Sequence, residues 1–378
     1  MQRRKFGFHD FDVSALGFGC MRLPVIDNQP DKIDEAKTAE MIYYAVDNGV
    51  DYIDTAYSYH REQSEVVLGR ILKEGYRDKV NLATKCPTWL IENREDFDKY
   101  LDIQLTRLQT DRIDMYLMHS LNKDRWNNLL KNDVFSFIES AKQDGRIRYA
   151  GFSFHDDLAT FKSIVDAYDW DFCQIQYNYM DEKFQAGTAG LKYAAAKNLA
   201  VVIMEPLRGG RLVRNIPAEV KEIMERSGKN RTSADWALRW VWNHPEVTLV
   251  LSGMGKLDEV KQNIETAGTA LPNSLTQEEL EMFEQVKAAY RKRIRIDCTA
   301  CEYCLPCPQD IVIPKLFDQY NDAFMYNTMD GFAQRYDWIV ENWGNPEDCI
   351  ECGQCEEACP QNLPIRELMK EIRSAAGR

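Results

Sequence analysis

Between residue 14 and about residue 266, short apolar runs rich in β-branched and aromatic residues alternate with longer stretches of helical period. Eight runs read as strands: SALGFG (14–19), DYIDTA (51–56), VNLATKC (80–86), DMYLMHS (114–120), YAGFSF (149–154), FCQIQYN (172–178), AVVIMEP (200–206) and VTLVLSGM (247–254). Between them, AKTAEMIYYAVDNGV places Met41, Ile42, Ala45 and Val46 on one stripe, and FDKYLDIQLTRLQT does the same with Tyr100, Leu101, Ile103, Leu105 and Leu108. Such spacing gives each helix one apolar face to lay on a sheet. The strand runs are mostly apolar throughout, as expected when both faces are covered. Strand–helix alternation predicts a parallel sheet. Eight units over roughly 250 residues predict an α/β protein built on a (β/α)₈ TIM barrel. An open doubly wound sheet is the alternative, but GFGCMR (17–22) carries only the first two glycines of its usual phosphate loop.

The beat then changes. In TQEELEMFEQVKAAYRKR (276–293), Thr276 and Glu279 form a capping-box signature, so a helix is expected to start there. From Cys298 the composition shifts, which predicts two domains, 1–290 and 291–378. DQYNDAFMYNT and GFAQRYDWIVENW read as helices within the second. Its apolar content is small for an independent core, and bound metal would supply what packing lacks. The net charge of −13 argues against a nucleic-acid partner. No apolar leader opens the chain, and no run approaches the roughly 20 residues of a membrane span. A cytoplasmic location away from the membrane is expected. There thiols stay reduced, and grouped cysteines read as metal ligands.

In a barrel the chemistry sits at the C-terminal ends of the strands. The second strand ends at Asp54, with Tyr59 five residues on; the third ends near Lys85, and the fourth at His119. Each alone has an ordinary structural reading, but reactive side chains closing three consecutive strands point to one site. A tyrosine with a pKa of about 10 holds its proton too tightly near neutrality. A neighbouring ammonium is expected to lower that value, with the aspartate fixing the lysine and the histidine binding a carbonyl oxygen. This set suits proton delivery to a carbonyl oxygen while hydride reaches its carbon. His9, His60, His155 and His244 lack such company and read as structural. Of the loops RLPVIDNQPDK and SLNKDRWNN, only Trp126 reads as a substrate wall, and neither shows a charged clamp.

VSALGFGCMRLP, DYIDTAYSYHREQSEVVLG, LATKCP, RIDMYLMHS and GRIRYAGFSFHD resemble the aldo-keto reductase family across about residues 1–290. The resemblance implies an NAD(P)H-dependent oxidoreductase that reduces a small carbonyl or oxidises an alcohol. Asp54, Tyr59, Lys85 and His119 would be its catalytic set, with Tyr59 as general acid. It further implies a cofactor, NADP or NAD, held by Gly19, Cys20, Met21 and Asp54 and with its carboxamide on Ser153 and Gln174. Gly253, Met254, Gly255, Lys256, Glu259 and Asn263 would meet its phosphate and adenine end. Phe154 stands where the family usually has asparagine, and Met204 where it usually stacks a tyrosine on the nicotinamide. Glu259 takes a place often held by an arginine, where a carboxylate repels a 2′-phosphate; Lys256 lies close enough to offset it.

Eight of the eleven cysteines crowd the C-terminal end. CIECGQCEEACP (349–360) is C-x₂-C-x₂-C-x₃-C-P, the ferredoxin run that holds a [4Fe–4S] cluster. CTACEYCLPCP (298–308) is one residue shorter in its last gap. Zinc is the structural rival, though zinc sites more often use separated pairs of ligands. The segment resembles a small α-helical, two-cluster ferredoxin-like domain fused to aldo-keto reductase-like proteins. In two-cluster ferredoxins the fourth cysteine of each run serves the other cluster. Cys349, Cys352 and Cys355 would then take Cys307, and Cys298, Cys301 and Cys304 would take Cys359. Two clusters are expected, and at least one. They would serve a redox partner protein, sense redox state or staple the domain. A different reading makes the iron–sulfur module the working part and the barrel a docking or nucleotide-sensing platform.

Overall fold

The computed structural model describes residues 1–378. Eight parallel strands close into a barrel: β1 (Leu16–Gly19), β2 (Tyr52–Asp54), β3 (Asn81–Cys86), β4 (Ile113–Leu121), β5 (Ile147–Phe154), β6 (Phe172–Gln176), β7 (Ala200–Met204) and β8 (Leu249–Ser252). Each pairs with its sequence neighbours, and β8 returns to β1 through Val250 opposite Leu16. The strands are buried almost throughout, the consequence of helices outside and packed side chains within. In helix Glu95–Leu108 the buried positions Phe97, Leu101, Gln104 and Leu108 recur at helical period.

One element was not foreseen. Strands Arg3–Lys5 and Asp12–Ser14 form an antiparallel hairpin. Its Phe6 and Val13 are fully buried in a cluster with Tyr52, Phe172, Ala200 and Leu249, which begin or nearly begin their strands. The hairpin therefore covers the end of the barrel opposite the strand C-termini. It escaped the sequence reading because three-residue strands carry no measurable period.

Contact density divides the chain into two compact units, Met1–Gly209 with Arg231–Leu275, and Gly210–Asn230 with Thr276–Arg378. The second unit contains helix Gln277–Arg291, whose capping box forms as its sequence predicts: the Glu279 N–H donates to Thr276 Oγ1 at 3.2 Å and the Thr276 N–H to Glu279 Oε2 at 2.9 Å. It also contains helices Ile313–Met325, Phe332–Trp343 and Ile365–Ala375. Their apolar faces bury Leu316, Phe317, Tyr320, Tyr336, Ile339 and Ile372 in a core of their own, larger than the sequence suggested. The cysteines flank this core on irregular chain, apart from the short helix Gln354–Glu357. No helix is long and apolar enough to cross a membrane.

Candidate active site and cysteine-lined cavities

At the strand C-termini the barrel opens into a cleft lined by Asp54, Tyr59, His119 and other rim residues. Lys85 lies directly beneath, wholly buried. Its ammonium uses all three hydrogens: to Asp54 Oδ1 at 2.7 Å, to the Thr55 carbonyl at 2.7 Å and to the Tyr59 hydroxyl at 3.4 Å. Tyr59 and His119 meet edge to face, ring centroids 6.2 Å apart. Four residues from three strands and one loop thus converge.

The electrostatics differ from expectation in one respect. Burial pushes the Tyr59 phenol up; Lys85 pulls it down and Asp54 pushes it up again, and the net displacement is upward. The lysine tempers the phenol but does not win. Burial opposes the charge on Lys85, yet Asp54 and Tyr59 outweigh it and hold the ammonium above its usual range. Asp54 is itself raised by burial, against the pull of Lys85. Its second oxygen has no partner, which accounts for the incomplete compensation. We read the pair as charged, because the ammonium has three acceptors around it. His119 is driven well below the usual histidine range, first by burial and then by Lys85, His155 and Arg125, so its ring is neutral.

A buried polar shell fixes this set from behind. Gln104 Nε2 donates to the Lys85 carbonyl at 3.0 Å and to Glu65 Oε1 at 2.6 Å, and Thr84 Oγ1 donates to the same carboxylate at 2.6 Å. Tyr116 donates to Gln104 Oε1 at 2.9 Å. After Tyr59 the chain turns through His60, Arg61 and Glu62 at φ 52°, 50° and 70°, left-handed backbone without a glycine. Each such residue costs on the order of 1 kcal/mol or more. His60 ties the turn down by accepting from the Leu23 N–H at 3.2 Å and meeting the Pro30 carbonyl at 2.8 Å.

The cofactor candidates divide. Gly19, Met21, Ser153, Gln174, Met204 and Gly253 line the cleft. Gln174 Oε1 is buried without a partner, while its Nε2 reaches Met204 Sδ at 3.6 Å. That orphaned acceptor suits the amide hydrogens of a nicotinamide carboxamide; at Gly19 a Cβ would stand 3.3 Å from the Ser252 carbonyl, so glycine there lets β1 and β8 approach closely. Ser153 Oγ accepts from the Ser120 N–H at 2.6 Å, so it is already engaged. Phe154 packs on Phe161 in the core. The Cys20, Met254 and Asn263 side chains are buried, and Asn263 donates to Ser252 Oγ at 3.0 Å. Glu259 accepts from the Gly255 N–H at 2.8 Å and so locks its own turn, while Lys256 stands at the N-cap position of the following helix Leu257–Thr269 without a side-chain bond to it.

Two expectations are corrected. Trp126 is not a cleft wall: it is 5% exposed and packs on Phe135 and Trp170. Trp89, 41% exposed and 5.3 Å from the His119 ring, takes that place. His60 and His155, read as structural, also line the cleft, as does Arg125. These residues sit on loops or on short helices that follow them, whose path only the closed barrel fixes.

In the C-terminal unit the cysteines face two cavities. Cys307, Cys349, Cys352 and Cys355 line one. Cys298, Cys301 and Cys359 line another. Cys304 borders both. The short gap before Cys307 does not keep it from the cavity of the other run. Thiols spread around a cavity suit a larger inorganic group, and the donor set fits iron–sulfur chemistry.

Comparison with known proteins agrees with this geometry. Residues 15–288 match the aldo/keto reductase family, and residues 297–363 match the 4Fe-4S dicluster domain. The uncharacterized oxidoreductase YqkF of Bacillus subtilis is 25% identical over 313 residues, covering 75% of this chain and 96% of its own. The probable aldo-keto reductase 1 of Glycine max is 26% identical over 321 residues, covering 76% and 89%. Among solved structures, the holo form of aldo-keto reductase AKR11C1 from Bacillus halodurans superposes with a TM-score of 0.63 at 28% identity, covering 76% of this chain and 96% of that one.

Proposed function

The chain belongs to the aldo/keto reductase family, and from that premise we propose that its barrel reduces a small aldehyde or ketone, or oxidises the matching alcohol, with NAD(P)H as the hydride source. Gly19, Met21, Gln174 and Met204 would hold the nicotinamide, Gln174 through its free carbonyl oxygen. When bound, that group supplies a hydride to the carbonyl carbon. Tyr59 hydrogen-bonds the carbonyl oxygen and gives it a proton. The phenolate left behind faces the Lys85 ammonium, 3.4 Å from its oxygen, which Asp54 keeps charged. His119, neutral, offers a ring N–H to the same oxygen without adding a second charge. In the reverse direction the phenolate takes the alcohol proton. The carrying observation is the Lys85 ammonium bridging Asp54 and Tyr59 beneath an open cleft.

Glu259 at the adenine end favours NADH or leaves at most a weak preference for NADPH. The C-terminal unit is read as the holder of two [4Fe–4S] clusters, with Cys307 and Cys359 exchanged between the runs. A cluster passes one electron and nicotinamide passes two, so direct exchange would need a converter such as a flavin. The clusters would serve a redox partner protein, sense redox state or staple the domain. The test is anaerobic purification followed by a carbonyl panel with NADPH and NADH, with and without a one-electron acceptor. Oxidation of the nicotinamide by a carbonyl alone supports the reading. Reduction of the one-electron acceptor with no carbonyl turnover would favour the iron–sulfur module as the working part.

A further inference from the structure

The cleft holds a cation that hydride transfer does not need. Arg125 lies in the first turn of helix Lys123–Lys131, its N–H capped by Asn122 Oδ1 at 2.9 Å. A register shift at the end of β4, between Met118 and Leu121, brings Ser120 into left-handed backbone at φ 55°. That bulge turns the Ser120 carbonyl outward, where Arg125 Nη1 donates to it at 2.8 Å. The guanidinium also lies over the Trp89 ring, 5.6 Å from its centroid. Arg125 is thereby aimed into the cleft that holds Tyr59 and His119.

No carboxylate answers it. The other cleft charges are already matched: Lys85 by Asp54 at 2.7 Å, and Arg22 by Glu205 at 4.0 Å. The Arg125 guanidinium is lowered, with burial as the sole cause, whereas a nearby acid would act in the opposite sense. A partly buried cation without a counter-ion is incompletely compensated. The fork has donors to spare, since one carbonyl occupies only Nη1, and a guanidinium binds planar or tetrahedral oxyanions through paired N–H groups.

Building on the reductase reading above, we infer that the substrate carries an anionic group, a carboxylate or a phosphate, which Arg125 binds while Trp89 packs on the carbons between it and the reacting carbonyl. Tyr59 and His119 take the carbonyl oxygen at one end of the molecule, and Arg125 fixes the other. The carbonyl becomes an alcohol as the reduced nicotinamide is oxidised, with the proton from Tyr59; the anionic group is unchanged. Arg125 is thus a specificity determinant.

The test compares matched aldehydes on the full chain: 5-oxopentanoate against pentanal for carboxylate, and glyceraldehyde 3-phosphate against glyceraldehyde for phosphate. A charged hydrogen-bonded contact predicts a kcat/KM ratio of roughly 10- to 100-fold in favour of the anion. Whichever pair shows the larger ratio identifies the source. Arg125→Met, which keeps a stem over Trp89, should collapse that ratio towards one. Arg125→Lys, which keeps charge but loses the fork, should retain part of it. Calorimetric binding of 5-oxopentanoate and of glyceraldehyde 3-phosphate, without reduced nicotinamide, reads the same site independently of turnover. Ratios near one in the unmodified protein, or a preference and binding that survive Arg125→Met, overturn the inference. Arg125-dependent binding of either anion with no reduction of any aldehyde would uphold the anion site and overturn the reductase reading instead.

Discussion

The two units organise reactive side chains in opposite ways. In the barrel, Lys85 is wholly buried on β3, Asp54 closes β2, and Glu65, Thr84 and Gln104 brace the backbone behind them. Geometry there is set by packing before anything binds. In the C-terminal unit the helices pack on one another, but the cysteines stand mostly on irregular chain, with Cys301 and Cys352 exposed. Their final positions would be set by the clusters they are proposed to hold. A rigid scaffold pre-arranges a reaction, whereas a metal cluster arranges its own ligands.

The sharpest way to test the barrel's half of that contrast is to remove one atom. Tyr59→Phe should lower kcat for carbonyl reduction by about 10²- to 10⁴-fold, the range for a lost general acid. Nicotinamide binding, followed by fluorescence titration, should stay within a few-fold, because the rest of the cleft is untouched. Near-native turnover would remove Tyr59 from the mechanism.

For the other unit, Cys307→Ser is the counterpart. Two clusters amount to about eight irons per chain. The variant should lose about half of them, and the loss should fall on the cluster held by Cys349, Cys352 and Cys355, as read by iron analysis and electron paramagnetic resonance. Barrel turnover should persist. Damage confined to the cluster of Cys298, Cys301 and Cys304 would refute the exchange of ligands between runs.

What the sequence made legible follows the same division. The eight strands and the convergence of Asp54, Tyr59, Lys85 and His119 at one rim were readable because strand–helix alternation and strand ends leave local marks. The cysteine runs were readable because ligand spacing is itself local. Trp89, Arg125 and His155 were missed or misread because they reach the cleft through loops, and a loop's direction depends on closure of the whole barrel. Trp126 misled for a related reason: next to Arg125 in sequence, it lies about 100° further round helix Lys123–Lys131 and is buried in the core. The net rise of the Tyr59 phenol was missed because a charged neighbour is visible in a sequence and the depth of burial is not.

That last point gives a pH test of the pre-arranged site. The proton donor is the protonated phenol, so reduction fails only as pH rises through the pKa of Tyr59. That value lies above the usual tyrosine value of about 10. On the acid side, His119 stays neutral until pH falls well below about 6.5. The kcat/KM profile for reduction should therefore be flat between about pH 6.5 and 10. A basic limb falling near pH 8 would mean that Lys85 prevails over burial.

The smallest expected effect lies at the edge of the barrel, where pre-arrangement gives way to solvent. At the proposed adenine end Glu259 would oppose a 2′-phosphate by charge, yet its carboxylate also accepts from the Gly255 N–H and so steadies the turn that would carry the cofactor. Glu259→Arg exchanges that internal bond for an attraction to the phosphate. For a partly exposed charge contact the gain is on the order of 1 kcal/mol, about fivefold in the Kd of NADPH. The affinity for NADH should fall slightly, since it loses the ordered turn and gains no partner. Titration of both cofactors separates the two contributions. If NADPH already binds the unmodified protein a thousandfold more tightly than NADH (about 4 kcal/mol), the 2′-phosphate does not meet Glu259. If Glu259→Arg weakens both cofactors equally, the carboxylate acts only through the turn, and the choice between NADH and NADPH is made elsewhere.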